Sequence, residues 1–104
     1  MVPVSKELAQ DFVQGKINEA QIISAAIEKP AYDALYHWAF YTDPEARKAG
    51  ETINFVETQF KKLMERHPTI QDHVAWGYSE EGAQFMHRME QDLGIRIKKS
   101  PGSF

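Results

Sequence analysis

The chain has no cysteine among its 104 residues. Disulfides, thiolate metal ligands and thiol nucleophiles are therefore excluded. Long hydrophobic runs are also missing, because no apolar stretch approaches the roughly 20 residues that a membrane-spanning helix needs. The first residues, MVPVSKELAQ, lack the basic and then apolar order of a secretory signal peptide. We therefore expect a protein of the cytoplasm that does not enter a membrane.

An excess of basic residues is absent as well. The chain carries 12 lysines and arginines against 15 acidic residues, which gives a net charge of −3. Nucleic-acid binding depends on a concentrated positive field, so this balance makes it the less favoured class of function. A hydrophobic content of 42% with 26% charged residues is ordinary for a globular protein. The length suits a single domain.

Recognisable catalytic and metal-binding motifs are missing too. There is no glycine-rich phosphate loop, no serine in a nucleophile motif, and no ExxH or HxxxH pair among the histidines. The most suggestive pair is Asp33 and His37, whose spacing in a helix would let a carboxylate orient an imidazole base. A structural polar pair is the favoured interpretation. We expect no metal and no cofactor, and we favour a protein without catalytic activity.

The segment PAYDALYHWAFY, residues 30–41, dominates the fold prediction. All of its residues except Pro30, Asp33 and His37 are apolar or aromatic. A helix that is apolar nearly all round must be enclosed by other elements. Strict alternation is absent and the run is longer than a typical strand of about five or six residues, which favours a helix. We predict a central helix over 30–41.

Capping residues predict two helices before this segment. Ser5 suits the cap of a first helix over 5–14, and Asn18 with Gln21 resembles a capping box for a second helix over 19–29. The apolar spacing in the second helix predicts an inner face made of Ala20, Ile23, Ala26 and Ile27, with Ile22 outside it.

The remaining chain is also predicted to be helical. A long helix over 44–66 follows an Asp-Pro-Glu start signal, a short helix spans 69–76, and a last helix over 79–93 ends at a glycine. Residues 95–104 form a short basic tail that we expect to be mobile. The sequence thus predicts an all-α domain, residues 1–94, of five or six helices.

Aromatic residues outside the predicted core suggest how such a protein would act. Phe55 lies opposite the apolar seam of the long helix, and Trp76 and Tyr78 flank a glycine. Aromatic residues contribute much of the binding energy at protein interfaces. We predict a small regulatory protein that binds another protein through Phe55, Trp76 and Tyr78. The long seam also suits a symmetric homodimer.

The alternative is a nucleic-acid-binding regulator. The first two predicted helices have the outline of a helix-turn-helix, and Arg96, Lys98 and Lys99 in the tail could contact an anion. The second helix has no arginine, although base and phosphate contacts rely on arginine and lysine. This alternative is therefore second to protein binding.

Overall fold

A computed structural model describes residues 1–37, 51–77 and 79–104. Within these residues the strands are Val2–Val4 (β1), Ala34–His37 (β2), Asp72–Ala75 (β3) and Ile97–Lys99 (β4). The helices are Lys6–Val13 (α1), Glu19–Glu28 (α2), Glu51–Arg66 (α3) and Glu80–Leu93 (α4). The protein is therefore an α/β protein, and the predicted all-α fold of five or six helices is wrong.

The four strands form one mixed sheet in the order β1-β2-β3-β4. β1 is antiparallel to β2, whereas β2, β3 and β4 are mutually parallel. In the register Leu35 lies opposite Pro3 on one side and opposite His73 on the other. Parallel neighbours need a crossover connection, which α3 provides between β2 and β3 and α4 between β3 and β4.

β2 overturns the predicted central helix over 30–41 in the part that the structure describes. Ala34–His37 is a strand, and all four of its residues are buried. A strand with neighbours on both sides and helices over both faces must be apolar on both faces, so it shows no alternation. A short apolar run of this kind cannot be distinguished from a buried helix by periodicity alone. Residues 38–41 lie outside the described residues.

Two hydrophobic layers cover the sheet. Consecutive strand residues point to opposite faces, so neighbours in β2 enter different layers. The face that carries Ala34 and Tyr36 packs against α1 and α2. The face that carries Leu35 and Ala75 packs against α3 and α4. The architecture is therefore three layers, with the sheet between two helix pairs.

Three predicted helices are confirmed, and their caps form as the sequence indicated. The backbone N–H of Leu8 donates to the Ser5 hydroxyl over 3.2 Å at the start of α1. Asn18 and Gln21 exchange hydrogen bonds of 2.9 and 2.8 Å in a capping box. Gly94 ends α4 with a φ of 65°. No helix in the described part of the chain is long and apolar enough to cross a membrane.

The second half of the chain differs more from the prediction. α3 coincides with the end of the predicted long helix, whose residues 44–50 lie outside the described ranges. The predicted short helix over 69–76 is wrong, because β3 lies there. The predicted tail, 95–104, contains β4, and beyond it the N–H of Phe104 donates to the Gly77 carbonyl over 2.7 Å.

Candidate functional site

Two histidines are buried side by side on the sheet face that α3 covers. His37 ends β2 and His73 lies on β3, and each is 6% exposed. Leu35 is opposite His73 in the register, so His37 emerges from the same face two residues further along. Nε2 of His37 lies 3.0 Å from Nδ1 of His73. One ring therefore donates a hydrogen bond to the other.

Phe60 of α3 contacts both imidazoles. Its ring centroid lies 6.0 Å from that of His37 and 5.3 Å from that of His73. Burial lowers the pKa of His37 to about 3, and repulsion from His73 in its protonated form is the second cause. Burial also lowers the pKa of His73, against the opposing effect of the Asp72 carboxylate. Both rings are therefore neutral at neutral pH.

The position of the hydrogens follows from an unpartnered atom. Nδ1 of His37 is buried and has no hydrogen-bond partner among the described residues. A buried N–H without an acceptor is rarer in proteins than an acceptor that lacks a donor. The favoured arrangement therefore leaves Nδ1 of His37 unprotonated. Nε2–H of His37 then donates to Nδ1 of His73.

This pair suits a structural role better than acid–base catalysis. A catalytic base must reach a substrate proton, whereas these rings bond to each other and are nearly enclosed. Residues 1–37, 51–77 and 79–104 contain no group of three or more histidine or carboxylate side chains placed to hold a metal ion. The buried imidazoles thus hold β2, β3 and α3 together.

Asp33, predicted to act with His37, has a different partner. It precedes β2 and is exposed, and its Oδ2 accepts a hydrogen bond from the backbone N–H of Lys6 over 3.4 Å. Four residues of extended chain span roughly 13 Å, in contrast to a single helical turn. The structure therefore does not bring Asp33 and His37 together.

An open groove of about 440 Å³ lies between the start of α2 and the residue that follows β3. Its lining residues are Asn18, Glu19, Ala20, Ile23 and Trp76. Trp76 is 40% exposed. Burial and then the neighbouring Glu19 carboxylate raise the pKa of Tyr36 above its usual range. Tyr36 belongs to the core and Glu19 lines the groove, so this pair of neighbours connects the two.

α2 is apolar on two sides, and the fold buries one of them. Ile22 is fully buried and Ala26 is 4% exposed, whereas Ile27 is 75% exposed. Ala20 is exposed and Ile23 is half-buried. The predicted inner face of α2 is therefore right for Ala26 and wrong for Ala20 and Ile27, while Ile23 packs at the edge of the core cluster. Two apolar stripes lie side by side on α2, and spacing does not decide which one meets the sheet. We call Ala20, Ile23, Ile27 and Trp76 together the outer α2 surface.

The other predicted partner-binding residues lie elsewhere. Phe55 is 65% exposed on α3, which covers the opposite face of the sheet from α2. Phe55 and Trp76 therefore belong to different surfaces. Tyr78 lies outside the described residues.

The predicted anion contacts lie on and beside β4. Arg96 and Lys98 are exposed, and their spacing places both side chains on the same side of the strand. Lys99 is half-buried, and its Nζ donates to the backbone oxygen of Phe104 over 2.9 Å. Two of the three cations thus face solvent, while Lys99 makes a contact within the chain.

Comparison of the chain with models of protein families, with curated proteins and with solved structures finds no match. Sequence reasoning missed two residues, His73 and Ile27. Pairing of His73 with His37 depends on strand register, for which the sequence carries no local signal. The exposure of Ile27 was signalled by Ile22, whose position outside the predicted stripe indicated a second apolar side.

Proposed function

We propose that this protein is a non-catalytic protein that binds another protein through the outer α2 surface. The observation that supports this is the second apolar stripe of α2, on which Ile27 is 75% exposed. A surface helix normally has one apolar stripe, which faces the core. The second stripe meets Trp76, and tryptophan is among the residue types that contribute most to binding energy at interfaces.

The sheet edges make strand addition the less suitable way to bind. β1 and β4 are the edge strands of the described sheet, and each is three residues long. Pro3 in the middle of β1 has no N–H to offer, and Lys98 places a charge in β4. Short edges with proline or lysine discourage pairing with another chain. The partner is therefore expected to bind a helix face.

The groove also indicates the chemistry of the partner. Its apolar floor is Ala20, Ile23 and Trp76, and its polar rim includes Glu19. Glu19 gives this rim a negative charge, and its carboxylate lies beside Tyr36. A partner with an apolar helix face beside a lysine or arginine fits this arrangement. A second copy of this chain would give a symmetric dimer.

A matched pair of variants tests the proposal. Ile27→Lys and Phe55→Lys each place a lysine at an exposed apolar position of a helix, on opposite faces of the sheet. A protein captured by the wild type from the native cell is purified, and its affinity for each variant is measured. Burial of one isoleucine side chain in an interface contributes at least about 1.4 kcal/mol to the free energy of binding, and loss of that amount weakens the complex tenfold.

We expect Ile27→Lys to weaken binding at least about tenfold while Phe55→Lys binds as the wild type does. Far-ultraviolet circular dichroism checks that both variants are folded. Equal binding by Ile27→Lys and the wild type would reject the outer α2 surface, as would a loss confined to Phe55→Lys. Analytical ultracentrifugation of the purified wild type and Ile27→Lys tests the homodimer, which requires a dimeric mass for the wild type and a monomeric mass for the variant.

Nucleic-acid binding is the second candidate, and two exposed cations, Lys98 on β4 and Arg96 just before it, support this candidate. Contacts to phosphates release counterions, so this function requires affinity that falls steeply with salt. Fluorescence anisotropy with labelled DNA and RNA tests it. Absence of binding at low salt would reject this candidate.

A cytoplasmic location belongs to the same proposal. A chain without cysteine is compatible with a reducing compartment. Imaging of the tagged protein in its native cell tests this location.

A further inference from the structure

The hydrogen bond between His37 and His73 does not accommodate an additional proton. Two neutral imidazoles carry two N–H groups on four ring nitrogens, and one of these hydrogens lies between the rings. A pair that gains a proton and keeps this bond must carry hydrogens on both remaining nitrogens. One of them is Nδ1 of His37, which is buried and has no hydrogen-bond partner in the part of the chain that the structure describes. Protonation therefore leaves a buried N–H unsatisfied or breaks the bond between the rings.

Solvation of a charged pair requires movement of α3. Phe60 is 5% exposed, and its ring covers both imidazoles at centroid distances of 6.0 and 5.3 Å. Phe60 also packs with Leu35 and Ile70 in one buried cluster. Water reaches the imidazoles when this ring leaves the sheet, and the ring is fixed to α3.

We propose that the His37–His73 pair is a pH-sensitive latch, which holds α3 against the sheet while both rings are neutral and releases α3 on protonation in mildly acidic solution. The latch lies on the opposite face of the sheet from the outer α2 surface. It therefore stands independently of the function proposed above.

The charged groups around the pair act in opposite directions. The carboxylate of Asp72 favours the charged form of His73, and the amino group of Met1 disfavours the charged form of His37. From α3 the neighbour is the uncharged ring of Phe60. Burial is the largest effect on both histidines and disfavours charge on both. The neutral pair is therefore the stable form in the closed structure.

A second titratable pair joins α3 to α4. Glu57 of α3 has a pKa raised by burial first and then by the neighbouring Asp92 carboxyl group of α4. Acid therefore favours contact between these two helices while it disfavours contact between α3 and the sheet. Release of α3 is expected to alter the contact with the sheet and to preserve the contact with α4.

Amide hydrogen exchange of the full chain tests the latch. Exchange is followed from about pH 7.5 to about pH 4.5 and corrected for intrinsic rates. Below the ordinary histidine pKa of about 6.5, each proton taken up on opening raises the opening constant by up to tenfold per pH unit. We expect this rise for amides of α3 around Phe60, with an opening constant in acid well above that of α2 around Ile22, whose buried amides exchange through global unfolding.

Two variants separate the latch from other titrations. Replacing both partners, with His37→Leu and His73→Leu together, removes the bond and leaves no orphaned polar atom, so the pH dependence of α3 should disappear. His87→Gln, at an exposed position of α4, should retain it. An α3 opening constant that does not change with pH would overturn the latch. So would opening constants of α2 and α3 that are equal in acid, because both helices would then open only by global unfolding. An α3 opening constant that depends on pH in the double variant as it does in the wild type would also overturn the latch.

Nitrogen NMR of the wild-type imidazoles provides a measurement that needs no variant. Nδ1 of His37 should stay unprotonated until the α3 amides lose protection, and both changes should share one midpoint. Protonation of Nδ1 with α3 still protected would refute the mechanism.

Discussion

Ile22 and Ile27 offer a direct test of which side of α2 faces the sheet. They are the same residue type in the same helix, but Ile22 is 0% exposed and Ile27 is 75% exposed. Ile22 packs in the cluster that contains Phe12 and Tyr36. The perturbation is the single change Ile22→Ala, compared with Ile27→Ala.

The expected difference follows from burial. Truncation of a fully buried isoleucine to alanine costs about 2 to 5 kcal/mol, because transfer energy is lost and a cavity remains. Alanine has a higher helix propensity, which returns a few tenths of a kcal/mol in both variants. We therefore expect Ile22→Ala to lower the free energy of unfolding by about 3 kcal/mol. Ile27→Ala should stay within about 0.5 kcal/mol of the wild type.

Urea denaturation followed by circular dichroism measures both values, with unchanged m-values showing that the compactness of the two end states is unaffected. In a thermal scan, about 3 kcal/mol corresponds to a fall in Tm of roughly 10 to 20 °C for a domain of this size. A larger loss for Ile27→Ala than for Ile22→Ala would show that the predicted stripe, not the one described, faces the core. Equal losses would contradict the packing of α2.

Three other measurements test the fold and the histidine pair. The free energy of unfolding, measured with urea, should rise with pH between about 3 and 6.5 by up to about 1.4 kcal/mol per pH unit. The reason is that the pKa of His37 is lowered to about 3 in the folded protein, so the unfolded chain binds one more proton in this range. A free energy of unfolding that does not change with pH would contradict the burial of His37. Asn18→Ala should cost about 1 kcal/mol while Asn18→Ser retains most of the stability, and equal loss in both would show that the side-chain cap is not the cause. A double-mutant cycle with Phe12→Leu and Tyr36→Leu should give a coupling of about 0.5 to 1.5 kcal/mol, since the rings meet edge to face at 5.1 Å; additive losses would exclude this contact.

Local signals were sufficient for the helices. Caps at Ser5, Asn18 and Gly94 depend on side chains or backbone angles within one turn, and the sequence displays them directly. The predicted helices at these places therefore agree with α1, α2 and α4.

The strands could not be predicted in the same way. β2 and β3 are four residues long, and each is covered on both faces by helices and bordered by other strands. Seven of their eight residues are buried by neighbours that lie far along the chain, and β3 includes a charged and a polar residue, so no local alternation of apolar and polar residues marks either strand. The length of the run 30–41 and its lack of strict alternation then favoured a helix.

The candidate site was predictable in part. Trp76 and Phe55 are exposed, as their positions outside the predicted core indicated, and their role in binding stays a prediction. The partner of His37 was missed, because pairing with His73 exists only once β2 and β3 are in register. Asp33 was chosen on helical spacing, which does not apply to an extended segment.

The sheet also has a consequence for the order in which the chain acquires its structure. Adjacent strands β2 and β3 are neighbours in space, yet all of α3 lies between them along the chain. Such non-local contacts must overcome loop-closure entropy first, so mixed domains fold more slowly than helical bundles. Until β3 pairs with it, the strand Ala34–His37 exposes unpaired backbone N–H and C=O groups beside apolar side chains, and other chains can pair with this edge. Newly made molecules are therefore most prone to aggregate in that interval.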